Sequence, residues 1–280
     1  GRRSSDRSYN INNCIHQTFL LGDENMILAF DIGNTHIVPV FFDEYGNIIE
    51  SFRIPTNLIM TEDTLFGILK SLTEYKNINL NEVHKVIISS VVPHLNEIFA
   101  YLSQKYFNVA PVVVTLNKIK DEIILMPDTE RGLGADRIID ILQAKVLFPD
   151  KELIIIDFGT ATTFDVIKDS VYLGGCILPG IELSIDALFK NTAKLPKVYF
   201  QEPSTVFGKN TINQINAGIY YSNIGGIKEI LSQYKKGLQA PFVIATGGQG
   251  KNISEVIEDI DVYLPDLSMN GLYTFAKKFS

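Results

Sequence analysis

Apolar residues fall along this chain in short unbroken runs, each closed by turn residues. "MILAFDI" (26–32), "HIVPVFFD" (36–43) and "NIIESFRI" (47–54) are separated by turns rich in Gly and Asn, the pattern of strands joined by tight hairpins. The apolar period then lengthens over about 62–77. Thr61 stands at the N-cap position there, with Glu62 and Asp63 in the first turn, which predicts a helix. "KVIISSVVP" (85–93) reads as a buried strand by its continuous apolar run. A helix near 94–106, a strand "APVVVT" (110–115) and a long helix from about Gly134 to Phe148 follow.

The same order then returns. "ELIIIDFG", "TTFDVIKD" and "SVYLGGCIL" give three strands between 152 and 178. Helical patterns follow at about 179–191 and 210–236, then a strand "PFVIATGG" (241–248) and helices near 250–258 and 268–279. Two units of three antiparallel strands, each followed by alternating helices and strands, predict a duplicated α/β fold. Its boundary falls at "PDK" (149–151), giving domains at 26–148 and 149–280.

The two halves echo each other in one chemical detail. The first strand of each ends in an aspartate, a glycine and small polar residues: Asp31, Gly33, Asn34 and Thr35 in one, Asp157, Gly159, Thr160, Thr162 and Thr163 in the other. Glycine in a hairpin lets backbone N–H groups approach a ligand closely. Hydroxyls bond phosphate oxygens, and an aspartate holds a cation or its water shell against them. Two such turns facing each other across a cleft suit the polyphosphate of a nucleotide with a metal ion. Two plain tight hairpins are the alternative.

Other motifs say less by themselves. In "GLGADRIIDILQAK" (132–145) Asp136 and Arg137 open an amphipathic helix. A carboxylate there is stabilised by the helix N-terminus and can act as a general base toward an alcohol. An arginine beside it can bind a carboxylate. A capping aspartate with a surface arginine is the plainer reading. Gly208, Asn210 and Thr211 form either an N-cap or a ligand loop, and "IATGGQG" (244–250) is a glycine-rich turn that could admit a nucleobase. His16, His36, His84 and His94 show no ligand spacing, and no Gly-x-x-x-x-Gly-Lys-Ser/Thr loop is present.

Composition narrows the partners. A net charge of −7 over 280 residues argues against an extended nucleic-acid surface, while backbone amides and a cation can still hold a phosphorylated small molecule. No apolar run reaches the roughly 18 residues that a membrane helix needs, so no membrane partner is expected. Cys14 and Cys176 give neither a metal spacing nor a disulfide framework, and a reducing cytoplasm is the default setting. Residues 1–25 are polar and aperiodic and are expected to be a disordered leader or an extension to the folded protein.

Taken in order, "DIGNT" (31–35), "ISSVVP" (88–93), "GADR" (134–137), "DFGTATTFD" (157–165), "YLGGCILPGIELSIDALFKNTAKLP" (172–196), "GKNT" (208–211) and "ATGG" (245–248) resemble the type III pantothenate kinases. These belong to the superfamily of acetate and sugar kinases, Hsp70 and actin. The resemblance covers about residues 26–280. It implies an actin-like, ribonuclease H-like duplicated fold of two similar domains with a nucleotide cleft between them. It also implies ATP-dependent phosphorylation of pantothenate to 4′-phosphopantothenate, the first step of coenzyme A synthesis. ATP, Mg²⁺, a monovalent cation (K⁺ or NH₄⁺) and a homodimer come with it.

Carried over residue by residue, Asp31, Ile32, Gly33, Asn34, Thr35, His36, Ile37 and Val38 wrap the ATP phosphates, and Thr160 touches ATP. Asp157 binds the monovalent cation. Gly134, Ala135, Asp136, Arg137 and Thr211 line the pantothenate site, with Asp136 as proton acceptor. The chain departs from the family's pattern ahead of Gly134, where "DEIILMPDTERGLGADR" has no tyrosine and about three extra residues, and at Pro39, where a small residue is common. The alternative is a nucleotide-binding regulatory relative without turnover, or a kinase for another small hydroxyl substrate.

Overall fold

The computed structural model describes residues 25–129, 132–192 and 195–279. The expected leader, apart from Asn25, lies outside the described residues.

The first half builds a mixed sheet. β1 (Met26–Ile32) pairs antiparallel with β2 (His36–Phe42), and β2 pairs with β3 (Ile48–Ser51) and β4 (Ile54–Pro55). α1 (Glu62–Tyr75) starts at Thr61, whose hydroxyl accepts from the Thr64 N–H at 3.3 Å, as its capping sequence predicts. β5 (Val83–Ser90) then runs parallel to β1, followed by α2 (Asn96–Leu102) and a short β6 (Val112–Val113) beside β5.

The expected third strand is split in two, and Pro39 accounts for the break. The Phe52 N–H donates to the Pro39 carbonyl at 3.0 Å, so Pro39 turns its amide side toward this strand. With no N–H to offer there, it leaves the ladder open between Ser51 and Ile54. β6 is shorter than the expected 110–115.

The second half begins after β7 (Ile124–Leu125) and α3 (Ala135–Leu147). β8 (Leu153–Phe158) and β9 (Ala161–Lys168) form a hairpin, and β10 (Val171–Pro179) continues it antiparallel. α4 (Ile181–Lys190) and the 27-residue α5 (Thr211–Gly237) lead to β11 (Phe242–Thr246), which lies parallel to β8. α6 (Gly250–Ser254), β12 (Val262–Tyr263) and α7 (Leu267–Lys278) complete the chain. The strand order is β12-β11-β8-β9-β10-β7, so β7 crosses from the first half to the edge of the second sheet.

Three layers of packing follow from strand parity. Leu28, Phe30 and Ile32 of β1 pack outward with Leu65, Leu69, Phe99 and Leu102 of α1 and α2. Ile154, Ile156 and Phe158 of β8 pack outward with Ile185, Ile224 and Leu231 of α4 and α5. The alternate residues, Ile27 and Ala29 on β1 and Leu153 and Ile155 on β8, meet in a central core with Ile139 and Leu142 of α3 and Leu272 and Phe275 of α7. The two helices therefore lie between the sheets, and α7, last in the chain, returns to pack on β1 and β5. None of the described helices is long and apolar enough to cross a membrane.

Candidate active site

Period-two alternation carries both strand-end aspartates into the central layer. Asp31 continues the row of Ile27 and Ala29, and Asp157 the row of Leu153 and Ile155. Both sit at the carboxyl ends of parallel strand pairs, β1/β5 and β8/β11, the end at which open α/β sheets bind ligands. The N-terminus of α3 comes to the same place. Gly134 is its N-cap and Asp136 lies in its first turn, where Oδ1 accepts from the Arg137 N–H at 2.8 Å. A Cβ on Gly134 would stand 2.4 Å from that same Oδ1, so a side chain at 134 would displace the carboxylate.

The two hairpin turns touch. The hydroxyls of Thr35 and Thr160 are 3.1 Å apart, joining the first half to the second at the mouth of the central layer. Gly33 is fixed by its N–H to the His36 carbonyl at 2.9 Å and by the Thr56 hydroxyl donating to its own carbonyl at 2.7 Å. Asn34 and Thr35 are exposed, as are Gly159 and Thr160. Ile32 and Ile37 face the outer core, so they offer a ligand only backbone atoms. Val38 packs against the central core, in which Ala135 is buried.

Charge is concentrated here, and among the described residues Arg137 is the one basic group paired with it. Asp31 is raised to about 7 by burial, then by the charge of Asp136, against a weak bond from the Ser89 hydroxyl at 3.5 Å. Asp157 is raised to about 7 by burial, then by Asp136, Asp31 and Asp165. Burial also raises Asp136. Asp140, one helical turn further along α3, is 3% exposed and is pushed well up by burial and then by Asp157. Its Oδ1 has no hydrogen-bond partner among the described residues. Asp165 is paired, its carboxylate held by Arg137. Asp140 and Asp165 have no role in the sequence reading, although both stand inside its motifs.

Carboxylates kept near neutrality in this way, with no basic partner of their own for Asp31 or Asp157 among the described residues, fit a cation. Among the described residues no group of three or more His, Cys, Asp or Glu is arranged to hold a metal by itself. An ion at Asp31 or Asp157 would therefore take most of its ligands from phosphate oxygens and water, the usual habit of Mg²⁺.

Thr211 stands on another element, as the first residue of α5. Asn210 caps α5, its Oδ1 accepting from the Asn213 N–H at 2.9 Å. Thr211 lines an open depression with Pro196, Asn210, Ile212 and Asn213, and no hydrogen bond joins it to 134–137 among the described residues. The "ATGG" turn leads from β11 into α6, with the Tyr263 hydroxyl donating to the Gly247 carbonyl at 3.1 Å.

Comparison with known proteins agrees with this architecture. Residues 27–233 match the family model described as type III pantothenate kinase. The type III pantothenate kinase of Fusobacterium nucleatum is 48% identical over 90% of this chain and 99% of its own length. That of Agathobacter rectalis is 38% identical over 90% and 97%. Among solved structures, a putative 2-dehydro-3-deoxygalactonokinase from Sinorhizobium meliloti superposes with a TM-score of 0.57 at 12% identity, over 90% of this chain and 96% of that one. That likeness is one of fold: the duplicated, actin-like α/β architecture.

Proposed function

The chain belongs to the type III pantothenate kinase family, and on that premise we propose that it transfers the γ-phosphoryl group of ATP to the primary hydroxyl of pantothenate, giving 4′-phosphopantothenate and ADP. The observation that carries this reading is the meeting of Asp136 with the two hydroxyl-bearing turns at the mouth of the central layer.

The reaction forms one O–P bond and breaks the bond between the γ-phosphorus and the bridging oxygen of ADP. Phosphoryl transfer needs positioning and charge neutralisation more than covalent help. The 31–38 turn and Thr160 hold the phosphates through backbone amides and hydroxyls. Asp136 accepts the hydroxyl proton late in the transfer. Its Oδ1 is tied to the helix N-terminus, so its other oxygen meets the alcohol, and burial makes it a stronger base than an exposed aspartate. Arg137 takes the carboxylate end of pantothenate. Asp31 would hold a Mg²⁺ ion, which would supply neutralisation of the phosphate charge, and we assign Asp157 to a monovalent cation, K⁺ or NH₄⁺. The reaction belongs to the cytoplasm, where ATP is found.

The two lobes are taken as 26–148 and 149–280, and the working form as a homodimer. Leu183 and Phe189 on α4, Ile212 and Tyr221 on α5 and Phe207 before it are exposed, an apolar surface suited to a second copy. Thr211, at the start of α5, then faces substrate from that side. The test is steady-state turnover with pantothenate, ATP and Mg²⁺. Asp136→Asn should lose about a hundred- to ten-thousand-fold in kcat and keep its ATP affinity. A mutant with near wild-type kcat would remove Asp136 from the mechanism.

A further inference from the structure

Arg137 is gripped along one edge. Its Nε donates to both oxygens of Asp165, each at 3.1 Å, and its Nη2 donates to Asp165 Oδ1 at 2.7 Å and to the Tyr172 hydroxyl at 2.8 Å. The Tyr172 hydroxyl closes the ring by donating to Asp165 Oδ1 at 2.9 Å. Asp165 and Tyr172 are 2% and 3% exposed. A guanidinium carries five N–H donors, one on Nε and two on each terminal nitrogen. The Nε and Nη2 donors are used, and Nη1 bonds nothing among the described residues.

The backbone is shaped around the same group. A Cβ on Gly175 would stand 1.6 Å from the Phe164 carbonyl oxygen and 3.4 Å from Nη2. Only glycine lets β10 run this close to β9 beneath the guanidinium. A salt bridge serving charge balance alone needs neither a third bond from a buried tyrosine nor a cleared strand. This arrangement fixes rotation as well as position, and it leaves one nitrogen for a ligand.

We propose that Asp165 and Tyr172 are positioning residues that lock Arg137 so that its Nη1 meets the acceptor, and that this lock makes the site selective for an acceptor ending in a carboxylate. The proposal rests on the kinase reading above. Charge-assisted bonds from a fixed guanidinium give geometric specificity that a mobile cation does not.

The test compares two acceptors in the wild-type chain, Asp165→Asn and Tyr172→Phe. One is pantothenate and the other its neutral analogue, with CH₂OH in place of the carboxylate. The ratio of their kcat/KM values is read at saturating ATP. Wild type should favour the carboxylate. Asp165→Asn should cut that preference by about tenfold to a hundredfold, as a misplaced contact group does, through the KM of the charged acceptor. Tyr172→Phe keeps the packed ring and should cut it by a smaller factor in the same direction, which keeps the test open should Asp165→Asn not fold. Equal losses toward both acceptors would show a structural pair and overturn the lock. Wild type turning over both acceptors equally well would overturn the lock and leave the kinase reading standing. Wild type turning over neither would overturn the kinase reading, and the lock with it.

Discussion

Replacing Asp31 with Asn should stabilise the protein in alkaline, cation-free buffer, and by progressively less as the pH falls toward 4. Burial, with the charge of Asp136 behind it, raises this carboxyl from 3.8 to about 7. The folded protein therefore binds a proton that the unfolded chain has released across that interval. By linkage, the stability associated with this group is present below pH 4 and is lost as pH rises through 7. A shift of about three units corresponds to roughly 4 kcal/mol. Asp31 keeps part of its surface open to the cleft, so solvent screening reduces the observable share to about 2 kcal/mol. For a protein of this size that is a Tm increase of about 4–8 °C. Asn is neutral throughout, and its removal of charge also relieves Asp157, which Asp31 helps to raise. The assay is thermal unfolding of wild type and Asp31→Asn at pH 5 and pH 8, without Mg²⁺ or K⁺. A mutant offset that is the same at both pH values, or destabilising at pH 8, would refute the reasoning. The gain should come with lost turnover, the usual exchange at a strained site.

Two further outcomes follow from the same group of residues. Activity should depend on a monovalent cation and Asp157→Asn should weaken that dependence, checked by titrating KCl against NaCl at constant ionic strength; equal wild-type rates in both would remove the cation from the site. Gly134→Ala should reduce kcat at least tenfold while Tm and ATP affinity stay close to wild type, because its Cβ would crowd Asp136 Oδ1; full activity in that variant would mean the carboxylate has room to move.

Much of the site could be read from the chain because its residues lie in contiguous motifs. Asp31 and Asp157 each end an apolar run, and parity alone turns both inward once the sheets are known to face each other. Asp140 and Asp165 escaped for a physical reason. Asp140 is one of several polar residues in an amphipathic helix, and only the packing of α3 between two sheets makes it buried rather than part of a solvated face. Asp165 stands in a strand whose partner for it, Arg137, is 28 residues earlier; the spacing of Asp136 and Arg137 gave no sign that the arginine is engaged from behind. β7 is two residues long and gains its identity by pairing with β10, which local propensity does not record. α7 carries a clear helical pattern, yet nothing in that pattern tells that it returns to the first sheet.

The most direct measurement is the identity of the product. Purified protein is incubated with ATP, Mg²⁺, K⁺ and pantothenate, and the mixture is resolved by mass spectrometry and phosphorus NMR, with Asp136→Asn in parallel. The account predicts a phosphomonoester on the primary hydroxyl of pantothenate, formed in equal amount with ADP and nearly absent from the mutant. ADP formed without a phosphorylated acceptor, or the same yield from the mutant, would contradict it.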